Sequence, residues 1–325
     1  MKLWIGRFAL MAAPFLCFGA VFECVLRNQV PISGVTPFQV SPDPELPHEL
    51  RRSFRTLYKG HEIEINSLGF RGPEFPPRRE GLLRVALVGD SITFGDAIGW
   101  EDTLGVRLGA SLEARGLEAE VLNCGIPGLD ATDVALITVE RVLPLEPDLV
   151  VYVFVCNDVV SSTRANEIPP DAEIDHFASY PLRSALLQFL GVRAKGMLRS
   201  LRDSDDEGGW VGHIKAALNN GGSDRIDAAI HTMQSSCSGA GVPFLVGSFP
   251  FLVSRDSNPF EAIEACIREV CSRQGVPLTE FVEAFPDGNL GSYWSCPFDS
   301  HPNGEANQHV ADLLADTLAL RLKEL

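Results

Sequence analysis

A chain of 325 residues, 45% hydrophobic and with a formal charge of −16, is long and apolar enough for a folded domain with a sizeable core, which excludes a disordered polypeptide. Residues 1–30 hold Lys2, Arg7 and Arg27 against Glu23, a net +2, so the remainder carries −18. Nucleic acid and anionic lipid are poor partners for such a surface.

The first predicted element is an N-terminal hydrophobic helix. After Lys2 and Arg7 come fifteen uncharged residues, "FALMAAPFLCFGAVF", and the apolar stretch counted from Phe8 to Leu26 is nineteen residues with one acid. That lies between the core of a signal peptide and a spanning helix, and no small-residue cleavage site follows it. The expectation is an uncleaved membrane anchor over 1–30 with the rest of the chain exported, the basic residues ahead of it staying in the cytoplasm. The competing reading is a buried N-terminal helix of a soluble protein. Residues 31–83 are rich in proline with little periodicity and are expected to form an extended lead-in. Within it "INSLGFRGPEF", 65–75, is too specific for a spacer, yet its spacing carries no chemistry.

From 84 onward apolar strand patterns alternate with helical ones. Strands are predicted at 84–88, 119–123, 148–155 and 243–249, with a weaker one at 277–282. Helices are predicted at 101–115, 131–143, 224–238, 259–273 and 304–323. This alternation implies an α/β domain over 84–325, a parallel sheet covered by helices, with ligands beyond the carboxyl ends of the strands. The interval 160–223 is too long for one loop. It holds an amphipathic stretch at 180–201 and reads equally as a core-packing excursion or as a lid over the site. Eight cysteines include no C-x-x-C and no zinc-like cluster. Cys124 and Cys156, at strand ends two strand spacings apart, are expected to stay unpaired.

The strand ends hold the candidate chemistry. "VALVGDS" ends a buried strand at Ser91, which reads either as a helix cap or as a hydroxyl displayed at the strand's carboxyl end. The second strand ends in "NCGIPG", where Gly128 can point a backbone N–H inward, and the third in "VCND", where the Asn157 amide can do the same. Each also has a plain reading as a turn glycine or a loop cap. Near the C-terminus "FDSHPNG" puts His301 before Pro302, in extended backbone, with Asp299 two residues upstream on the same side. His309 competes as a base but falls inside the terminal helix. Four separate segments thus each deliver a residue type that acyl transfer needs.

The order G-D-S, N-x-G-x-x-G, N-D and D-x-H-P-N resembles the SGNH or GDSL hydrolases over about residues 84–325, and "NSLGFRGPE" is similar to lead-ins of their membrane-anchored bacterial members. The resemblance implies a flavodoxin-like three-layer α/β/α fold with a five-stranded parallel sheet in the order 2-1-3-4-5. It implies a serine esterase or acyl-transfer activity with no cofactor and no metal, acting on an acyl ester of a carbohydrate or lipid. By the same resemblance Ser91 is the nucleophile, His301 the base and Asp299 its orienting acid. Ser91 N–H, Gly128 and Asn157 then form the oxyanion hole. Two departures stand out: Val155 occupies the place of the glycine in the usual G-x-N-D, and one residue rather than two separates the acid from His301. An O-acyltransferase using the same residues and a non-catalytic, membrane-tethered binding protein are the other readings.

Overall fold

The computed structural model describes residues 14, 17–25, 36–162, 186, 190, 210–253, 258–296 and 299–321. Its centre is a five-stranded parallel sheet: β5 (Leu83–Gly89), β6 (Ala119–Gly125), β7 (Leu149–Phe154), β8 (Phe244–Ser248) and β9 (Leu278–Glu280) in the order β6-β5-β7-β8-β9. Numbered along the domain this is 2-1-3-4-5, the flavodoxin-like order. Residues alternate between the two faces of each strand. Val85, Leu87, Val151 and Val153 share one core with Leu104, Leu108 and Leu112 of a helix over Leu104–Glu113 and with Val310, Leu314 and Leu318 of the terminal helix Gly304–Arg321. Ala86, Val88, Val150, Tyr152 and Phe154 face the opposite core. There they meet helices over Ala131–Ile137, Ser223–Gly239 and Glu261–Gln274. Burial on both faces explains why the central strands read as unbroken apolar runs.

Every predicted strand and helix of the domain therefore has a counterpart, with two differences. The helix predicted over 131–143 loosens into a π-helical turn at Thr138–Val142, and a helix over Trp210–Ala217 was not expected. The amphipathic stretch at 180–201 lies outside the described residues but for 186 and 190. Cys124 and Cys156 are free thiols.

Residues 36–83 correct the expectation of an extended lead-in. They form two antiparallel hairpins, β1 (Phe38–Val40) with β2 (His48–Leu50) and β3 (Phe54–Tyr58) with β4 (His61–Ile65). Phe38, Leu46, Leu50, Ile63, Ile65 and Phe70 are buried with the sheet's second core. The strands are only three and five residues long, too short to show periodicity between the prolines. Tertiary contact, and not local pattern, makes them strands.

The unexplained "INSLGFRGPEF" is a clamp. Asn66 Oδ1 accepts from the backbone N–H groups of Leu68 and Phe70, both at 3.0 Å, and Nδ2 donates to Pro73 O. The tight turn so formed drives Arg71 inward to 1% exposure. Its guanidinium donates to the carbonyls of Phe94, Gly95 and Ile98 and lies over the Phe94 ring. Burial pulls the Arg71 pKa down to about 10, with Asp96 opposing. The first two carbonyls end the short helix that follows the first sheet strand, where no helical N–H reaches them, and the third lies in the loop beyond it. Arg71→Met is expected to lower unfolding free energy by about 2–4 kcal/mol in urea titration, because it orphans buried carbonyls. Arg71→Lys should restore little, since an ammonium lacks the planar fork.

In the N-terminal stretch 8–26 only residues 14 and 17–25 are described, and they are helical. Among the described residues no helix is long and apolar enough to cross a membrane.

Candidate active site

The sheet's first strand ends at Gly89, where a Cβ would stand 2.3 Å from Thr93 Oγ1 and 2.8 Å from Val153 O. Only glycine lets the chain turn there and start the helix Ser91–Phe94. On the neighbouring strand Gly125 has the same reason for being small, as a Cβ would meet the backbone of Phe94 at 2.2 Å. The cap of this helix is Asp90 and not Ser91: Asp90 Oδ1 accepts from Ile92 N–H at 3.1 Å. Ser91 is therefore not the cap. Its hydroxyl is released from capping and stands 3.0 Å from His301 Nε2.

Asp299 and His301 come from a strand over Asp299–Pro302 paired antiparallel with Trp294–Cys296. Residues i and i+2 share a face there, so the one-residue spacing suffices. Asp299 Oδ1 accepts from His301 Nδ1 and from the His301 backbone N–H, the latter at 3.1 Å. With its Nδ1 proton given to Asp299, the imidazole presents the Nε2 lone pair to Ser91. A continuous line Asp299–His301–Ser91 results. His309 stands elsewhere, packed on Phe285 and Tyr293 with its Nε2 3.4 Å from the Tyr293 hydroxyl.

Asn157 lies in a 3-10 turn, Cys156–Val159, directly after the third sheet strand. Its Nδ2 donates to Asp90 Oδ2 at 2.9 Å, and the Ser91 hydroxyl is 3.2 Å from the same oxygen. A primary amide has two N–H donors, so the bond to Asp90 orients the group while the other N–H can meet a ligand. Val155, in the place of the usual glycine, is buried in the sheet core with extended backbone. Gly128 follows the second strand at φ +81°, and a Cβ there would meet the His48 ring at 3.4 Å. His48 Nε2 donates to Pro127 O at 2.7 Å. All peptide bonds described are trans, so holding that carbonyl turns the Gly128 N–H the opposite way. No hydrogen bond joins Gly128 to Ser91 or Asn157.

Several of these neighbours escaped sequence reasoning. Asp158 is fully buried. It accepts from Tyr152 Oη at 2.7 Å and from Val155 N–H at 3.0 Å, and so fixes the turn that carries Asn157. His48 comes from the first hairpin. Lys59, from the second, lies 2.6 Å from Asp96 Oδ2 and 3.5 Å from Asp299 Oδ2. Only Asp158 had a signal, its place in the N-D block. Lys59 and His48 sit in short hairpins with no motif.

The electrostatics follow from burial and partners. Burial pushes the Asp90 carboxyl up, and its bonds from Asn157, Ile92 and Ser91 and the charge of His301 oppose this. Burial also raises Asp158 well above the usual carboxylate range, with the charge of Asp90 adding to it. Burial works against protonated His301, but the Asp299 hydrogen bond and the charges of Asp96 and Asp299 outweigh it and hold His301 above its ordinary value. Asp299 is held well below the carboxylate range: burial opposes this, and the bond and charge of His301 with the Lys59 charge prevail. Among the described residues no group of three His, Cys, Asp or Glu is placed to hold a metal ion.

A hydroxyl at a strand's carboxyl end, an imidazole on it and a carboxylate behind the imidazole form an arrangement that can carry acyl transfer. The family of GDSL-like lipases and acylhydrolases matches residues 87–309; the chain belongs to that family and is a GDSL-type ester hydrolase. No curated protein matches it. Solved structures to which it is similar include a lipase/acylhydrolase from Enterococcus faecalis, at 17% identity and TM-score 0.44 over 74% of this chain and 97% of that one. A catalytic mutant of an acetylxylan esterase from Geobacillus stearothermophilus follows at 13% and 0.46, over 74% and 95%. A carbohydrate acetylesterase from Sinorhizobium meliloti is similar at 12% and 0.42, over 73% and 99%.

Proposed function

We propose that the protein cleaves carboxylic esters by acyl transfer through Ser91. His301 Nε2 takes the Ser91 proton as Oγ attacks the acyl carbonyl. The imidazolium then protonates the leaving alcohol, and water activated by the same nitrogen resolves the acyl-enzyme. Asp299 fixes the tautomer that leaves Nε2 free. Ser91 N–H, Gly128 N–H and the second N–H of Asn157 receive the oxyanion, each such donor being worth about 3–4 kcal/mol of barrier. The observation that carries this reading is the 3.0 Å approach of His301 Nε2 to a Ser91 hydroxyl relieved of capping. Fluorophosphonate labelling of the purified protein tests it. Modification should map to Ser91, and an unlabelled Ser91 in a folded protein would overturn the mechanism.

The rate should fall with acid as His301 becomes protonated. Because its neighbours hold His301 up, the midpoint of the acid limb of kcat/KM is expected above the ordinary histidine value of about 6.5. His301→Gln should remove the limb with most of the activity, and His309→Gln should keep both.

The substrate we favour is an acylated carbohydrate or a small ester at the cell envelope, reached from an N-terminal anchor. The nineteen-residue stretch Phe8–Leu26 supports that location, as it approaches spanning length. The full chain should then sediment with membranes, and a chain beginning near residue 35 should not.

A further inference from the structure

Lys59 occupies an unusual place. Tyr58 pairs with His61, so Lys59 and Gly60 make a two-residue hairpin connection, with φ of +48° and +85°. Positive φ at both positions is the type I′ turn, which favours Asn-Gly or Gly-Gly. A lysine at its first position goes against backbone preference, and strain of this kind persists where the surroundings hold it. What holds it is the pair of carboxylates beside the histidine. The ammonium lies 2.6 Å from Asp96 Oδ2 and 3.5 Å from Asp299 Oδ2. Asp96 Oδ2 is in turn 3.8 Å from His301 Nε2, the nitrogen that faces Ser91. Asp96 is 5% exposed, its other oxygen accepts from Ala97 N–H, and its own backbone N–H bonds Ser91 O.

His301 thus has a carboxylate at each ring nitrogen and one cation shared between them. Such a pair left uncompensated would favour imidazolium, and Asp96 would then attract the Nε2 proton away from the line to Ser91. We propose that Lys59 is a positioning residue of the active site: it anchors Asp96 and Asp299 about His301 and offsets their charge, so that Nε2 is freed as a base at a lower pH than the two carboxylates alone would allow. This rests on the reading of His301 as the general base. The charged groups around His301 are Asp299 on its own strand, Asp96 after the Ser91 helix, Asp90 at that helix's cap and Lys59 from the hairpin, with Arg71 buried behind Asp96. Of the two cations, Lys59 is the one that acts on His301, opposing its protonation.

The test compares kcat/KM for p-nitrophenyl acetate against pH in the wild type, Lys59→Asn, Lys59→Arg, Asp96→Asn and the double variant Lys59→Asn with Asp96→Asn. Asparagine suits the turn better than lysine, so Lys59→Asn should melt no lower than the wild type. Its acid limb should move up by about one pH unit, a loss of roughly tenfold below the wild-type midpoint relative to its own alkaline plateau, allowing for the 37% exposure of the Lys59 side chain. Lys59→Arg should keep the wild-type limb, Asp96→Asn should move it down, and the double variant should return it toward wild type. A Lys59→Asn limb that stays in place, whether the rate is unchanged or uniformly lowered, overturns the proposal. So does an unmoved limb in Asp96→Asn, which decides the matter should Lys59→Asn fail to fold. A wild-type profile without any limb that His301→Gln removes would defeat the general-base reading instead.

Discussion

Replacing Ser91 by alanine is expected to lower turnover of a short aryl ester by about 10⁶, the scale set by removing the serine of a protease triad. No neighbouring hydroxyl can stand in. Thr93, two residues on, is fully buried beneath Gly89 and Gly125. The fold should survive, because the helix cap belongs to Asp90 and the helix end to Arg71, neither of which needs the Ser91 side chain. An unchanged circular dichroism spectrum with persistent wild-type turnover would refute the serine mechanism.

The second large effect is expected at Asp299. Asparagine in its place can still accept from the backbone N–H of His301, but it no longer fixes the tautomer or stabilises the imidazolium, and turnover should fall by roughly 10² to 10⁴. The carboxylate does reach Nδ1 despite the shortened spacing, which argues for the upper part of that range. Asp158→Asn and Asp287→Asn should cost turnover far less. Asp158 accepts two buried donors through one oxygen, which an amide oxygen can still do; Asp287 is exposed in a turn. Should Asp158→Asn or Asp287→Asn prove the inactive variant while Asp299→Asn stays active, the acid has been assigned to the wrong residue.

The sheet was legible because its strands are buried on both faces and so leave runs such as "VALVG" and "LVVYVF" that need no tertiary context to be read. Ser91 and Asn157 were legible as neighbours for a related reason: parallel strands deliver their carboxyl ends to one edge, so residues at those ends lie close before any coordinate is known. The spacing of Asp299 and His301 within one strand also placed both side chains on one face. The choice between cap and nucleophile at Ser91 was not legible. Asp90 and Ser91 are both capping residue types, and only the backbone path through Gly89 decides which one caps.

The hairpins of residues 36–83 were hidden more deeply. Their strands are held by burial of Phe38, Leu50, Ile63 and Phe70 against the second core of the sheet, and a three-residue strand has too few alternations to reveal itself. Hydrophobic period was enough to read a parallel sheet covered by helices, whereas the strand order and the roles of Ser91, His301 and Asp299 came from the resemblance of the motif blocks to the GDSL hydrolases. Only the tertiary structure brought His48 to the peptide before Gly128, Arg71 to the carbonyls after Phe94, and Lys59 to the carboxylates at His301. Each of these is a polar contact between segments 24 to 240 residues apart, and at that separation side-chain reach and burial, which no local pattern encodes, choose the partner.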